Sequence, residues 1–417
     1  MEPSGNTANA PGTPDPVAGL YDRWIYPAPV TDLTADLFST RNMTRHLREL
    51  FHAYWPAADY REDLDILIAG CGSNVAAAYA FMYPKARVTG IDISRASLDC
   101  EEQLQRRHQL SNLSLHLLPV ERVAELKKSF DLIICHGVIH HLADPVAGLR
   151  ALGQVLRPDG VIALMVYSQY MRLGVYMLQD LFRLMGLGLD DQSVALVKET
   201  LGGVSPNHPV RQYLRRAYDL QSDNGLVDTF LHMRDKPYTV ADCLSLVDGA
   251  QLVFQGWDEN GFYYPEGQIP ASSPLRAAFD RLAPTELWKA MELFSGNIPN
   301  HWFYACRAER NPRHYRIQLE DEAFLNYVPV PRAQVVSRAA TAAGQELVIA
   351  RPPYPQVRLD ALQSRIFMQL DGRRSAQESI RNAGPAGDPK LVMELARQFF
   401  RMQWRLGYMQ FRLSSES

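Results

Sequence analysis

The chain has 417 residues, 47% of them apolar and 21% charged. That length predicts two or three domains, and the composition excludes a collagen-like, mucin-like or wholly disordered protein. The 43 basic and 46 acidic residues leave a net charge of −3, which does not favour nucleic acid as the partner. No run approaches the ~18 uninterrupted apolar residues of a membrane span. Five scattered cysteines, none in C-x-x-C, speak against a disulfide scaffold or zinc ribbon and fit a reducing, cytoplasmic setting.

Residues 1–17, rich in Pro, Gly, Asn and Thr, are expected to form a disordered tail. Residues 18–60 read as an aromatic arm, Tyr21-Asp22-Arg23-Trp24-Ile25-Tyr26-Pro27, followed by one or two helices. Leu37, Phe38, Leu47, Leu50, Phe51 and Tyr54 recur there at helical spacing ahead of Pro56. From residue 61 to 310 strands and helices alternate. Predicted strands lie at Leu64–Ala69, Arg87–Ile91, Leu113–Leu117, Asp131–Cys135 and Val161–Val166, the last introduced by the turn Arg157-Pro158-Asp159-Gly160. A largely helical insertion occupies about 168–235, with Leu173, Tyr176, Met177, Leu181 and Leu184 on one stripe of its first helix. Leu252–Gly256 and His301–Cys306 read as a final antiparallel hairpin. This order predicts a doubly wound, mostly parallel α/β sheet of seven strands.

Residues 311–417 differ in character. Prolines interrupt the segment to about Val357, and three short helices and a strand at Tyr408–Leu413 then suggest a small winged-helix-like α+β module. It holds 15 basic against 10 acidic residues, so the near-neutral chain conceals a basic module and an acidic body.

Gly70-Cys71-Gly72-Ser73-Asn74 follows the first strand directly. Glycines at such a strand-to-helix turn let backbone approach a ligand, and the helix start offers free N–H groups. The third glycine of a dinucleotide fingerprint is replaced by Val75. Asp92 closes the second strand, where a carboxylate can accept both ribose hydroxyl protons; capping of the next helix is its plainer role. His136 ends the fourth strand, at the sheet edge where ligands bind in such folds.

With Phe130-Asp131, His140-His141-Leu142, Pro145 and the Leu156–Gly160 turn added, the sequence resembles the class I S-adenosylmethionine-dependent methyltransferases between Leu64 and Val166. The arm Tyr21–Pro29 resembles the Tyr-x-x-x-Pro-Tyr-Pro lead-in of some bacterial members. The resemblance implies a Rossmann-like fold and S-adenosylmethionine as methyl donor. It implies Gly70 and Gly72 beneath the methionine part, Asp92 at the ribose, Glu121 near adenine and His136 towards the methionine end or the substrate, with Cys71 and Ile93 also among the cofactor-binding residues. The departure is Ser73-Asn74, where a second small residue and glycine are usual.

Methyl transfer asks for alignment and water exclusion more than for strong acids or bases. The expected catalytic candidates are His140, His136, Tyr21 and Tyr26, with His140 able to act as a base because imidazole titrates near neutrality. Which of His140 and His141 faces the pocket stays open. Tyr167, Tyr170, His232, Arg234 and Tyr263 are the candidate substrate wall. No metal site is expected, because a strand tip followed by a turn should scatter Cys135, His136, His140 and His141. The acceptor is expected to be an oxygen or nitrogen nucleophile on a small molecule. The alternatives are a protein docked by the C-terminal module and a regulatory protein that binds the cofactor without chemistry.

Overall fold

A computed structural model of the chain describes residues 15–37, 47–341, 344–352 and 354–413. Phe38 and most of the expected tail lie outside them. Two compact units emerge, and they do not follow the expected boundaries. The first takes the start of the chain to Thr44, Arg61–Phe254 and Gly296–Ala308; the second takes Arg45–Tyr60, Gln255–Ser295 and the rest from Glu309.

The first unit is built on a seven-stranded sheet: β1 (Asp65–Ala69), β2 (Arg87–Asp92), β3 (Leu113–Leu117), β4 (Phe130–His136), β5 (Leu156–Tyr167), β6 (Leu252–Trp257) and β7 (Asn300–Arg307). Their order is β3-β2-β1-β4-β5-β7-β6, and the unit boundary runs through β6. Strands β1 to β5 pair in parallel, and β7 runs antiparallel to β5. β1 and β4 are buried almost throughout, as their apolar runs require of strands covered on both faces. The order reverses at β1, so the loops after β1 and β4 open into one crevice at the carboxyl edge. The predicted turn Arg157–Gly160 is instead part of β5. Its residues form an irregularity, with Phe130 opposite Leu156 and Leu132 opposite Val161. There Arg157 bridges Asp65 and Asp131, which pins the amino ends of three strands together.

The insertion is helical at Leu173–Leu184, Asp191–Gly203 and Val210–Leu214, and ends in a π-turn at Val227–Leu231. The expected stripe on its first helix has the right period and the wrong face. Val175, Leu178, Gln179 and Phe182 are buried, whereas Leu173, Met177, Leu181 and Leu184 are exposed. The helix Pro16–Arg23 adds Leu20 to that core, together with Trp24 just beyond it. Pro16 and Val17, expected in a disordered tail, form its first turn under an Asp15 cap.

In the second unit the helices Ala361–Phe367, Ala376–Asn382 and Pro389–Arg405 and the strand β12 (Met409–Arg412) lie where the sequence puts them. Four strands lie within the proline-broken stretch, where none was expected. β8 (Val328–Pro331) pairs with β12, and β9 (Gln334–Thr341), β10 (Gly344–Ala350) and β11 (Val357–Leu359) make a separate three-stranded sheet. Arg310 donates to the Tyr54 carbonyl and to Gln255, and Leu413 N–H donates to the Pro56 carbonyl. Such bonds tie 45–60 and 255–295 to the C-terminal residues, which therefore do not begin a module at 311. No helix among the described residues is long and apolar enough to cross a membrane.

Candidate active site

Gly70 and Gly72 adopt φ of +73° and +58°, the left-handed region that a side chain resists. The turn between them sends the N–H groups of Gly70 and Cys71 to the Ile91 carbonyl and the Gly72 N–H to Asp92 Oδ2 at 2.8 Å. Asp92 Oδ1 accepts from Ser94 N–H at 2.9 Å. Burial raises the Asp92 pKa, against the pull of these donors. With Ile93 N–H also acting on it, the carboxylate still has acceptor capacity left for an incoming hydroxyl.

Cys71 does not face the crevice. Its side chain is fully buried beside Glu101, whose carboxylate accepts from Ala76 and Ala77 N–H at 2.8 Å each. Burial pushes Glu101 up to about 8 and raises the Cys71 thiol well above its ordinary range. Of Cys71, expected among the cofactor-binding residues, only the backbone therefore lies in the turn between the two glycines. Ser73, the departure from the usual loop, has a definite role, because its hydroxyl donates to the Pro27 carbonyl at 2.8 Å. A Cβ on Gly72 would come within 2.8 Å of Pro27 Cδ, so the aromatic arm lies directly on the glycine loop. Asp22 accepts from the Ser94 hydroxyl, which fastens the arm to the helix after β2 as well. Ile93 is half-buried after β2, and Glu121 is exposed at the start of the 3₁₀ turn Val120–Leu126. His136 ends β4 with its ring edge-on to Trp302, 4.7 Å between centroids.

The same arm reaches a second cluster. Tyr21 OH donates to Asp228 Oδ1 at 2.8 Å, and Tyr26 OH donates to Asp219 Oδ2 at 3.0 Å. Tyr167, at the carboxyl end of β5, donates to Asp228 Oδ2 at 3.4 Å. Burial raises the pKa of Asp228 and holds the Tyr21, Tyr26 and Tyr167 hydroxyls well above the usual phenol range. The charges of Asp228 and Asp92 both bear on Tyr21, so the cluster adjoins Asp92. Arg172 is 1% exposed and lies over the Tyr167 ring at 3.7 Å; it donates to Tyr213 at 2.6 Å and to Asp235 Oδ2 at 3.2 Å.

His140 and His141 face one another at 4.1 Å, with His140 against Tyr167 at 4.2 Å and His141 stacked on His232 at 3.8 Å. Both are buried. Burial, then the neighbouring His141 and Arg172, hold His140 well below the ordinary imidazole range, and it is neutral at physiological pH. His141 Nδ1 bonds the Arg234 carbonyl at 2.6 Å, whereas the Arg234 guanidinium turns away to pair with Asp15.

Of the residues expected at the substrate wall, Tyr167, His232 and the Arg234 backbone lie in this cluster, and two others do not. Tyr170 is exposed, in the turn before the helix Leu173–Leu184. Tyr263 is fully buried in the second unit, stacked on Trp257 at 3.9 Å, and is a core residue. Arg172, Asp219 and Asp228 were not foreseen from the sequence. The available signal was that Arg172 and Asp228 each stand among apolar neighbours, Met171 and Leu173 for one and Val227 and Phe230 for the other.

A family model described as "Methyltransferase domain" matches residues 67–162. The chain is 30% identical over 250 residues to an uncharacterized protein of Synechococcus, an alignment covering 58% of this chain and 60% of that one. It is 30% identical over 98 residues to a ubiquinone biosynthesis O-methyltransferase of Neisseria meningitidis, covering 23% of this chain and 41% of that enzyme. The chain thus spans three-fifths or less of the length of these relatives. Among solved structures, PKMT2 from Rickettsia typhi superposes with a TM-score of 0.63 at 15% identity, covering 88% of this chain and 75% of that one; its complex with AdoHcy gives 0.61.

Proposed function

From a chain that carries a class I S-adenosylmethionine-dependent methyltransferase domain, we infer a protein that methylates an amine nitrogen on a small molecule. The carrying observation is the wall beside Asp92, where Tyr21 and Tyr167 hold the buried Asp228 and Tyr26 holds Asp219. Carboxylates flanked by aromatic faces attract an ammonium ion more strongly than a neutral alcohol.

When bound, S-adenosylmethionine supplies a methyl group already activated by a sulfonium. The residues that fit it are the Gly70 and Gly72 backbone for the methionine part, Asp92 for the ribose, Ile93 and Glu121 beside adenine and His136 at the end of β4. The left-handed glycines and the spare lone pairs of Asp92 support that fit. An amine nucleophile must first lose a proton. Asp228 can take it, because burial has brought its pKa up from the usual carboxylate range towards that of an effective base. Tyr21 and Tyr26 orient the acceptor and close it from water, through the arm anchored on Ser73. S-adenosylmethionine would supply the methyl group and keep the S–CH₃ electron pair on sulfur, while Asp228 would hold the proton released by the amine.

A panel of small amines and matched alcohols, incubated with methyl-labelled donor, tests this reading. Label transfer to amines is the expected result. Transfer to alcohols alone would overturn the amine assignment, and absence of donor binding by calorimetry would overturn the reading as a whole.

A further inference from the structure

The loop after β4 and the segment after the π-turn meet through a backbone bond, Lys236 N–H to the His140 carbonyl at 3.1 Å. This brings His140, His141 and Asp235 together, although about 95 positions separate them in sequence. The histidines were expected to scatter. Cys135 and His136 do diverge, but the other two converge. One ligand atom from each of His140, His141 and Asp235 lies within 4.8 Å of the others.

The surroundings of these side chains resemble the outer support of a metal site. His141 Nδ1 is engaged with the Arg234 carbonyl, which places the proton on Nδ1 and leaves the Nε2 lone pair available. Asp235 Oδ2 is held by Gln179 at 2.9 Å and by Arg172 at 3.2 Å, whereas its buried Oδ1 has no hydrogen-bond partner. His140 is 1% exposed, and neither of its ring nitrogens has a hydrogen-bond partner. A buried imidazole with both nitrogens unpaired carries a desolvation cost that a ligand bond would remove. His232 is not part of the set: its Nδ1 accepts the Arg234 N–H at 3.0 Å, so its Nε2 carries the proton. Two carboxylates, Asp228 and Asp235, face the single guanidinium of Arg172, so the cluster has negative charge to receive a cation.

We propose that His140, His141 and Asp235 form a three-ligand site for a divalent transition-metal ion of the zinc class. Two imidazoles and one carboxylate with a fourth position left open suit such an ion, and the oxygen-poor set disfavours calcium or magnesium. Metal–ligand bonds of about 2.0–2.2 Å put ligand atoms roughly 3.4 Å apart in a tetrahedron, so the atoms, now within 4.8 Å of one another, would have to close by up to about 1.4 Å. The ion would clip the end of the helical insertion to the tip of β4, beside the acceptor wall.

The full-length protein, stripped with a chelator, is titrated with Zn²⁺ by calorimetry and with Co²⁺ by visible absorption. The expected result is one ion per chain, a Co²⁺ band of four- or five-coordinate intensity, and a raised Tm. His140→Leu is the decisive variant. It removes an unpaired imidazole and orphans no partner, so the metal-free protein keeps its Tm or gains a few degrees. It should lose metal affinity at least 100-fold. Asp235→Asn should lose it as well, with S-adenosylhomocysteine affinity measured in both variants as the check on folding. Failure of the wild-type protein to bind either ion below millimolar concentration overturns the site. Binding unchanged in folded His140→Leu overturns it too.

Discussion

The Tyr21 hydroxyl donates to Asp228 across 207 positions of sequence, and this 2.8 Å bond joins the first described helix to the π-turn that ends the insertion. The same short stretch of chain carries Asp22 to Ser94 and Pro27 to Ser73. One arm therefore holds the glycine loop, the start of the helix after β2 and Asp228 in a fixed relation. Tyr21→Phe removes only the hydroxyl. It should lower kcat about 10-fold or more and leave donor affinity within about threefold, because the lost bond positions the acceptor wall. Steady-state kinetics beside calorimetry separates the two; an equal loss in both would place Tyr21 at the donor instead.

Asp92 should govern donor binding. Its oxygens are anchored by two backbone N–H groups and aimed by the end of β2. Asp92→Ala removes two charge-assisted acceptors of about 1.5–3 kcal/mol each, which predicts a loss of S-adenosylhomocysteine affinity of about 100-fold or more. Calorimetry on the variant checks it, and unchanged affinity would end the ribose assignment.

Arg172 and Asp235 are each 1% exposed at the side chain and paired at 3.2 Å. Removing one partner strands the other charge in the interior. Arg172→Met alone should cost about 3–5 kcal/mol of stability. Arg172→Met with Asp235→Leu should recover most of that loss, because two well-packed apolar groups replace the pair. Denaturant unfolding of the single and double variants measures the coupling. Additive losses would mean that Arg172 acts through its packing on Tyr167 rather than through the ion pair.

The sheet was legible because its information is local. Apolar runs within Leu64–Ala69 and Asp131–Cys135, each followed by glycine or histidine at a strand tip, specify buried parallel strands without reference to the rest of the chain. The glycine loop and Asp92 were legible for the same reason, since 20 positions of βαβ geometry fix their relation. The acceptor wall was not. Asp228 is polar in a stretch of mixed pattern, and only tertiary packing shows that Tyr21 and Tyr167 meet on it. The exposed stripe Leu173, Met177, Leu181 and Leu184 shows the limit of periodicity, because two apolar faces share that helix and the spacing alone does not choose between them. The strands between Val328 and Leu359 were hidden by prolines, which are admissible at sheet edges.

Glu101 should make stability depend on pH in a direction opposite to that of an ordinary paired carboxylate. It is fully buried under the glycine loop, and its pKa stands at about 8, raised from 4.5 chiefly by burial. The folded state therefore holds a proton that the unfolded chain releases near pH 4.5. The resulting stability is complete below that value, declines above it and is gone once pH has risen through about 8. Its size is on the order of several kcal/mol, since a tenfold difference in proton affinity between the two states is worth about 1.4 kcal/mol. Glu101→Gln fixes the side chain in a neutral form. Its Tm relative to wild type should climb between about pH 5 and pH 8, and the difference should be level below about pH 4. The glycine loop hangs from the same group through Ala76, Ala77 and the buried Cys71, so donor affinity in the wild type should weaken as the folded carboxyl ionises near pH 8 and stay level in the variant. Thermal unfolding and calorimetry across the pH series check both. A wild type and a variant with parallel pH profiles would show that Glu101 keeps its charge in the folded protein.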